Sequence, residues 1–350
     1  MERMIQTPWP ALEVVAQNRG LVDPYLPENA ALFRGEEAFE AQVTGRARWG
    51  KPSPEPLLDA DFEAVLLDSI AANAGLMASL TNELARQVAA FYNKGELPVL
   101  VAVLRAGVPI AALLRQKLEE KWGENVPIRA FSLFYGLGWD EAALEKIVAE
   151  FPGRPLLFVD GWTSGGNVAT ELNRAFGAWK QAGKPDFARG ASPKLAVLCD
   201  PRGKADFRAV RADVFVPSAC FTAPETLGFS RGFALGEAEL FGVYEFPAQH
   251  LKPDWVKSWL DVLNAVPAPV PPDFEGEIEM APPGVRIHIN EVVRALINRN
   301  PREIWLCDDQ TVARQRLAPL LHLAKLRKIP VRFERIEPRR WGAMAAAPMA

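Results

Sequence analysis

Residues Leu156–Leu172 read LLFVDGWTSGGNVATEL. The run opens apolar, meets one acid at Asp160, breaks into hydroxyls and two glycines, and then takes up helical spacing. A buried strand that feeds a helix start in this way makes a cradle for an anion. The free N–H groups of the first helical turn point at one spot, with the positive end of the helix dipole behind them. Gly165 and Gly166 let the backbone approach a ligand or take a positive φ. Thr163 and Ser164 add hydroxyl donors, and Asn167 is placed to cap the helix. Asp160 would repel a phosphate set directly on it. It is therefore expected beside the phosphate, accepting from sugar hydroxyls or attracting a metal. No lysine follows the glycines, so this is not a Walker A loop. A plain strand-to-helix turn with a cap is the competing reading.

A second segment repeats the layout. In VLRAGVPIAALLRQ (Val103 to Gln116), Arg105 is followed by Ala106 and Gly107, and Pro109 opens a helix. Small residues after an arginine let amides and a guanidinium face a common anion. Two such loops at neighbouring strand ends imply a ligand with phosphates at both ends. In a parallel sheet, that is where ligands sit.

The surrounding pattern supports such a sheet. A long amphipathic helix is expected over Phe62 to Tyr92, followed by LPVLVAVL, PIAALLRQKLEEKW, PIRAFSLF, EAALEKIVAEF, PLLFV, NVATELNRAFGAWKQA, KLAVLCD and ADVFVP. Continuous apolar strands alternating with helices specify an α/β fold whose parallel sheet is covered on both faces. The stretch Ala265 to Glu277, AVPAPVPPDFEGE, reads as a stiff linker. Beyond it, INEVVRALINRN, EIWLCDD, VARQRLAPLLHLAKLRK and IPVRFERI form a small second α/β unit. The expected boundaries are an extension over 1–60, the main domain over 61–264, the linker over 265–276 and the second unit over 277–350.

Charge separates the two parts. The chain of 350 residues has a net charge of -3, yet Gly284 to Arg340 holds 13 Lys and Arg against 6 Asp and Glu. A basic segment on an acidic body suggests an anionic partner such as RNA. No apolar run near the length of a membrane span stands out, and the N-terminus lacks a signal-peptide core, so a cytoplasmic protein is expected. Cys199, Cys220 and Cys307 are far apart and form neither a disulfide framework nor a zinc site.

The two loops resemble type I phosphoribosyltransferases: LLFVDGWTSGGN is similar to their phosphoribosyl-pyrophosphate signature and VLRAG to their pyrophosphate loop. With LAVLCDP and VPSACFTAPETLGFSRG in order, the chain resembles a narrower group, the phosphoribosyltransferase-like family of tellurite-resistance and stress operons. That group is sometimes labelled StiP and called cysteine proteases, and it carries a C-terminal Pelota-like RNA-binding domain, to which INEVVRALINRN is also similar. The resemblance implies that Thr163, Ser164, Gly165, Gly166 and Asn167 hold a 5′-phosphate and Asp160 the ribose hydroxyls. Arg105, Ala106 and Gly107 would hold pyrophosphate with Mg2+, Asp160 also serving the metal. Ser218, Thr222, Ser230 and Arg231 would meet the acceptor, and Asn290, Glu291 and Arg294 would bind structured RNA.

Departures weaken parts of this match. Val159 stands where a first acid is expected, FYGLGWD (Phe134 to Asp140) where an arginine-rich stretch is expected, and His288 where RNA-binding relatives have glycine. Two readings follow: a phosphoribosyltransferase using phosphoribosyl pyrophosphate, with Asp160 and Arg105 catalytic, or a non-catalytic nucleotide sensor that binds RNA. A cysteine protease is disfavoured, because Cys220 has no histidine near it in sequence. Acceptor, RNA target and oligomeric state stay open.

Overall fold

The computed structural model describes residues 4–35, 42–236 and 239–349. Its main sheet has seven strands, in the order Ile5–Gln6, Glu13–Val14, Ile128–Phe131, Val99–Val103, Leu156–Val159, Lys194–Cys199 and Phe207–Val210. From Glu13–Val14 onward every neighbouring pair is parallel. The central strands Val99–Val103 and Leu156–Val159 are buried throughout, as apolar runs without alternation require. One expectation fails at the far edge: ADVFVP is largely buried but forms no strand, and the edge strand is Phe207–Val210 instead.

The long helix spans Ala60–Phe91, started by Asp59, whose side chain accepts the Phe62 N–H at 2.8 Å. It buries Phe62, Leu66, Ile70, Leu80, Leu84 and Val88 along one face. By length and composition this helix could also cross a membrane, with a mean hydropathy of 1.4 over its most apolar 18 residues. In the structure it packs against the helix Gly107–Trp122, the edge of the sheet and the C-terminal helix Ala318–Leu326.

The C-terminal unit has its own four-stranded sheet, ordered Val285–Ile287, Ala345–Pro348, Ile304–Leu306 and Val331–Arg332. The strand Ala345–Pro348 was not foreseen, being a run of alanines that carries no strand propensity. The expected single helix over VARQRLAPLLHLAKLRK divides into Gln310–Arg316 and Ala318–Leu326. Pro319 explains the division: it lacks an N–H and fits only the first turn of a new helix.

The two units share one core. Val292, Val293 and Leu296 of the helix Ile289–Asn298 lie in the same buried cluster as Phe62 and Leu198. The proline-rich stretch between them is strapped to the body rather than free. Ala268 N–H donates to Gly75 O at 3.0 Å, Ser79 Oγ to Ala268 O at 2.6 Å, and Phe274 N–H to Arg211 O at 2.7 Å. A Cβ at Gly75 would lie 2.6 Å from Val266 O, so glycine lets the strap lie directly on the helix.

Candidate anion-binding cleft

The carboxyl ends of Val99–Val103 and Leu156–Val159 are neighbours, paired in register from Val99 with Leu156 to Ala102 with Val159. Their following loops therefore open into one cleft of about 350 Å³. Arg105, Ala106, Asp160, Thr163, Ser164, Gly165 and Asn167 line it, as the sequence predicted, together with Arg231. Glu291 and Arg294 reach it from the C-terminal unit.

Asp160 is 8% exposed, and its Oδ1 accepts the Gly161 N–H at 2.8 Å. Burial pushes its pKa up to about 7. The Gly161 N–H and Arg231 act against this, while the charge of Glu291 adds to it. Thr163 Oγ1 accepts the Gly166 N–H at 3.1 Å, and Gly166 precedes the helix Asn167–Gln181 at a φ of 81°.

Several expected roles change. Asn167 is the first residue of its helix rather than its cap. Gly166 packs on Lys204, whose Cγ would be 2.8 Å from an added Cβ, whereas a Cβ at Gly165 would meet only Asn167 Oδ1, at 3.8 Å. Gly107 does not face the ligand. A Cβ there would meet Val159 O at 2.1 Å, so this glycine lets a helix lie on a strand. Arg105 is not a free anion donor, because its guanidinium is paired with the buried carboxylate of Glu55.

The expected acceptor residues also disperse. Thr222 Oγ1 donates to Glu225, and Ser230 Oγ donates to Arg231 O at 2.9 Å while accepting the Tyr244 N–H at 3.0 Å. Ser218 and Thr222 line a small separate void behind the cleft wall. Arg231 alone of the four faces the cleft, with its guanidinium 5.0 Å from the Trp49 ring and 4.8 Å from Phe134. No carboxylate lies within 4.0 Å of it among the described residues. Burial, and then the charges of Arg34 and Arg105, hold its pKa well below the usual arginine range.

Sequence reasoning missed four of the seven arginines that line the cleft. Arg34, Arg48 and Trp49 come from the proline-rich N-terminal region, and Arg286 and Arg299 from the C-terminal unit. These segments lack a periodic pattern that would place them at a strand end. In all, seven arginines line the cleft against the carboxylates Asp160, Glu171 and Glu291.

The face predicted to bind RNA is turned inward. Asn290 Oδ1 accepts the Val216 N–H at 2.9 Å, and its Nδ2 donates to Val214 O at 2.8 Å. Arg294 donates to Ala219 O at 3.1 Å and Phe221 O at 2.7 Å. Glu291 accepts the Trp162 Nε1–H at 3.0 Å. These residues dock the unit to the body. His288, where glycine was expected, is buried and holds a φ of 77°, the backbone region that favours glycine.

A resident magnesium does not fit the cleft. Among the described residues no three His, Cys, Asp or Glu side chains gather as metal ligands, and the charge that acts favourably on Asp160 is the Arg231 guanidinium. Of the thiols, Cys199 and Cys220 are buried and Cys307 is half-buried. Burial pushes the pKa of each upward.

Residues 40–253 match the family model described as tellurite-like stress resistance cysteine protease StiP. A curated relative, the cysteine protease StiP of Acinetobacter baylyi, is 33% identical over 162 residues, which are 46% of this chain and 40% of that protein. The chain thus matches less than half the length of that relative. Similar solved structures include a hypoxanthine phosphoribosyltransferase of Trypanosoma cruzi, at 18% identity and a TM-score of 0.28, over 38% of this chain and 75% of that one. Another is the hypoxanthine-guanine phosphoribosyltransferase of Schistosoma mansoni, at 16% identity and 0.26, over 39% and 62%. Likenesses this slight extend to no ligand or reaction. The family description overturns the expected phosphoribosyltransferase, with its phosphoribosyl pyrophosphate and magnesium chemistry, and names a cysteine protease instead. The stress-resistance expectation agrees with it.

Proposed function

The chain belongs to the tellurite-like stress resistance StiP family, and from that premise we propose that its cleft binds a small phosphorylated metabolite such as a ribose phosphate. One observation carries this reading: seven arginines converge on a chain of net charge -3. Burial first, and then the neighbouring charges of Arg34 and Arg105, lower the pKa of Arg231, which has no carboxylate partner among the described residues; burial and then the charges of Arg105 and Arg231 lower that of Arg294. Crowded guanidiniums repel, and an anion seated among them relieves that repulsion while accepting charge-assisted hydrogen bonds. The loop 163–167 would take the phosphate through its amides and hydroxyls, and Asp160 would accept from neighbouring hydroxyls of the ligand. Calorimetric titration with ribose 5-phosphate at several salt concentrations tests it. Arg231→Gln should weaken binding about tenfold, the loss of one charged hydrogen-bonding group. No heat from the wild-type chain at low salt sinks the proposal.

The family description supports a second reading, proteolysis by a thiol. Within the matched residues 40–253 the cysteines are Cys199 and Cys220. The helix Ile289–Asn298 covers both: Asn290 Nδ2 lies 3.7 Å from Cys199 Sγ, and Arg294 bonds the carbonyls on either side of Cys220. Proteolysis would require this helix to move away. A casein digest compared between the wild type, Cys199→Ser and Cys220→Ser decides it, because cleavage that survives both substitutions excludes these thiols. The Pelota-like identity of the C-terminal unit rests on INEVVRALINRN and is part of this proposal. A structured-RNA partner is not, since the residues expected to read it are used inside the molecule.

A further inference from the structure

We propose that the ligand of the cleft carries a second anionic group, and that Arg286 of the C-terminal unit is the specificity-determining residue that receives it. This rests on the reading of the cleft as a phosphate site. Two parts of the chain line the cleft. The body wall offers the hydroxyls and amides of 163–167, suited to one phosphate. The C-terminal unit lines the same cleft with Arg299 and with Arg286 and Arg294.

Arg286 and Arg294 differ in what they already hold. Arg294 is committed to two backbone carbonyls of the body. Arg286 stands on the strand Val285–Ile287 with its side chain 45% exposed, and its partner is Glu291, in a single contact of 3.3 Å. A half-exposed pair of that kind contributes little, because water screens it. A phosphate takes a guanidinium through two parallel charge-assisted bonds and would displace the carboxylate at little cost. Glu291 would not be stranded, since its other oxygen accepts the Trp162 Nε1–H.

This arrangement discriminates. A ligand with one phosphate seats on the body wall and leaves Arg286 with Glu291, gaining nothing there. A ligand with two also gains Arg286.

The test uses the full chain with two probes, ribose 5-phosphate and ribose 1,5-bisphosphate. The wild type should bind the bisphosphate about tenfold more tightly, the worth of one charged contact. Arg286→Gln should abolish that preference by bringing bisphosphate affinity down to that of ribose 5-phosphate, and the remaining ribose 5-phosphate binding reports a folded variant. Glu291→Gln keeps an acceptor for Trp162, frees Arg286 and should widen the preference. Equal weakening of both probes by Arg286→Gln, or a preference that survives it, overturns the proposal. Wild-type binding without preference sinks this inference alone. Absence of binding to either probe sinks the cleft reading as well.

Discussion

Two helix starts in this molecule carry similar polar residues and meet opposite fates. Asn167–Gln181 begins at Gly166 with no side chain capping it, and its preceding hydroxyls line an open cleft. Ile289–Asn298 begins against Asp213, a carboxylate of the body that accepts the Ile289 N–H at 3.0 and 3.1 Å and the Met344 N–H at 2.7 Å. Its amide and guanidinium are then consumed by body carbonyls and amides. A helix start is an anion site only where the rest of the chain does not supply its own anion. That depends on a residue far away in sequence, which no local motif records.

Four substitutions would break or sharpen this contrast. Gly107→Ala, in a short loop that reads like a ligand loop but packs like a core, should cost about 3 kcal/mol in urea denaturation through overpacking. A variant as stable as wild type would return Gly107 to the ligand side.

Asn290→Ala should cost about 2 kcal/mol, because the Val216 N–H and Val214 O would lose their partner in a buried interface. Affinity for ribose 5-phosphate should stay within about twofold. A loss of affinity without a loss of stability would instead make Asn290 a ligand residue.

Asp160→Asn probes the open helix start through pH. The folded-state pKa of Asp160, about 7, lies above its unfolded value, so the native state holds the extra proton between pH 4 and 7. The contribution of this group to stability therefore falls as pH rises through that window. A neutral isostere should stabilise the chain by about 1–2 kcal/mol at pH 8 and leave it unchanged at pH 4. A pH-independent difference would mean the carboxylate is not desolvated.

Gly165→Ala should be the mildest for stability, within about 0.5 kcal/mol, because the added Cβ would make only an ordinary 3.8 Å contact with Asn167 Oδ1. Ligand affinity should still fall as the methyl group enters the cleft. Unchanged affinity would remove the loop from the site.

The sheet was legible because its strands are unbroken apolar runs that only a doubly covered parallel sheet can bury. The cleft was legible on the wall where hydroxyls and glycines follow such a strand. Arg34, Arg48, Trp49 and Arg286 were not, since they reach the cleft through tertiary packing of aperiodic segments. Glu55 illustrates the limit most sharply: it lies in PSPEP, reads as solvated loop, and is buried against Arg105. The mistaken RNA face has the same origin. Spacing of four residues correctly put Asn290 and Arg294 on one side of a helix, but whether that side meets solvent or the body is set by Asp213 and the strand ends beneath it.

The strap of prolines has a practical consequence for anyone who would dissect the protein. A stretch rich in proline invites cutting, as if two independent pieces hung from a hinge. Here the cut would peel Ala268 from Gly75 and strip the cover from Val292, Val293 and Leu296, all of which are fully buried in the intact chain. Each half would carry a raw apolar face into water, and the halves would be expected to aggregate rather than report on separate activities. For this protein the smallest piece that can be assayed honestly is the chain with both units attached.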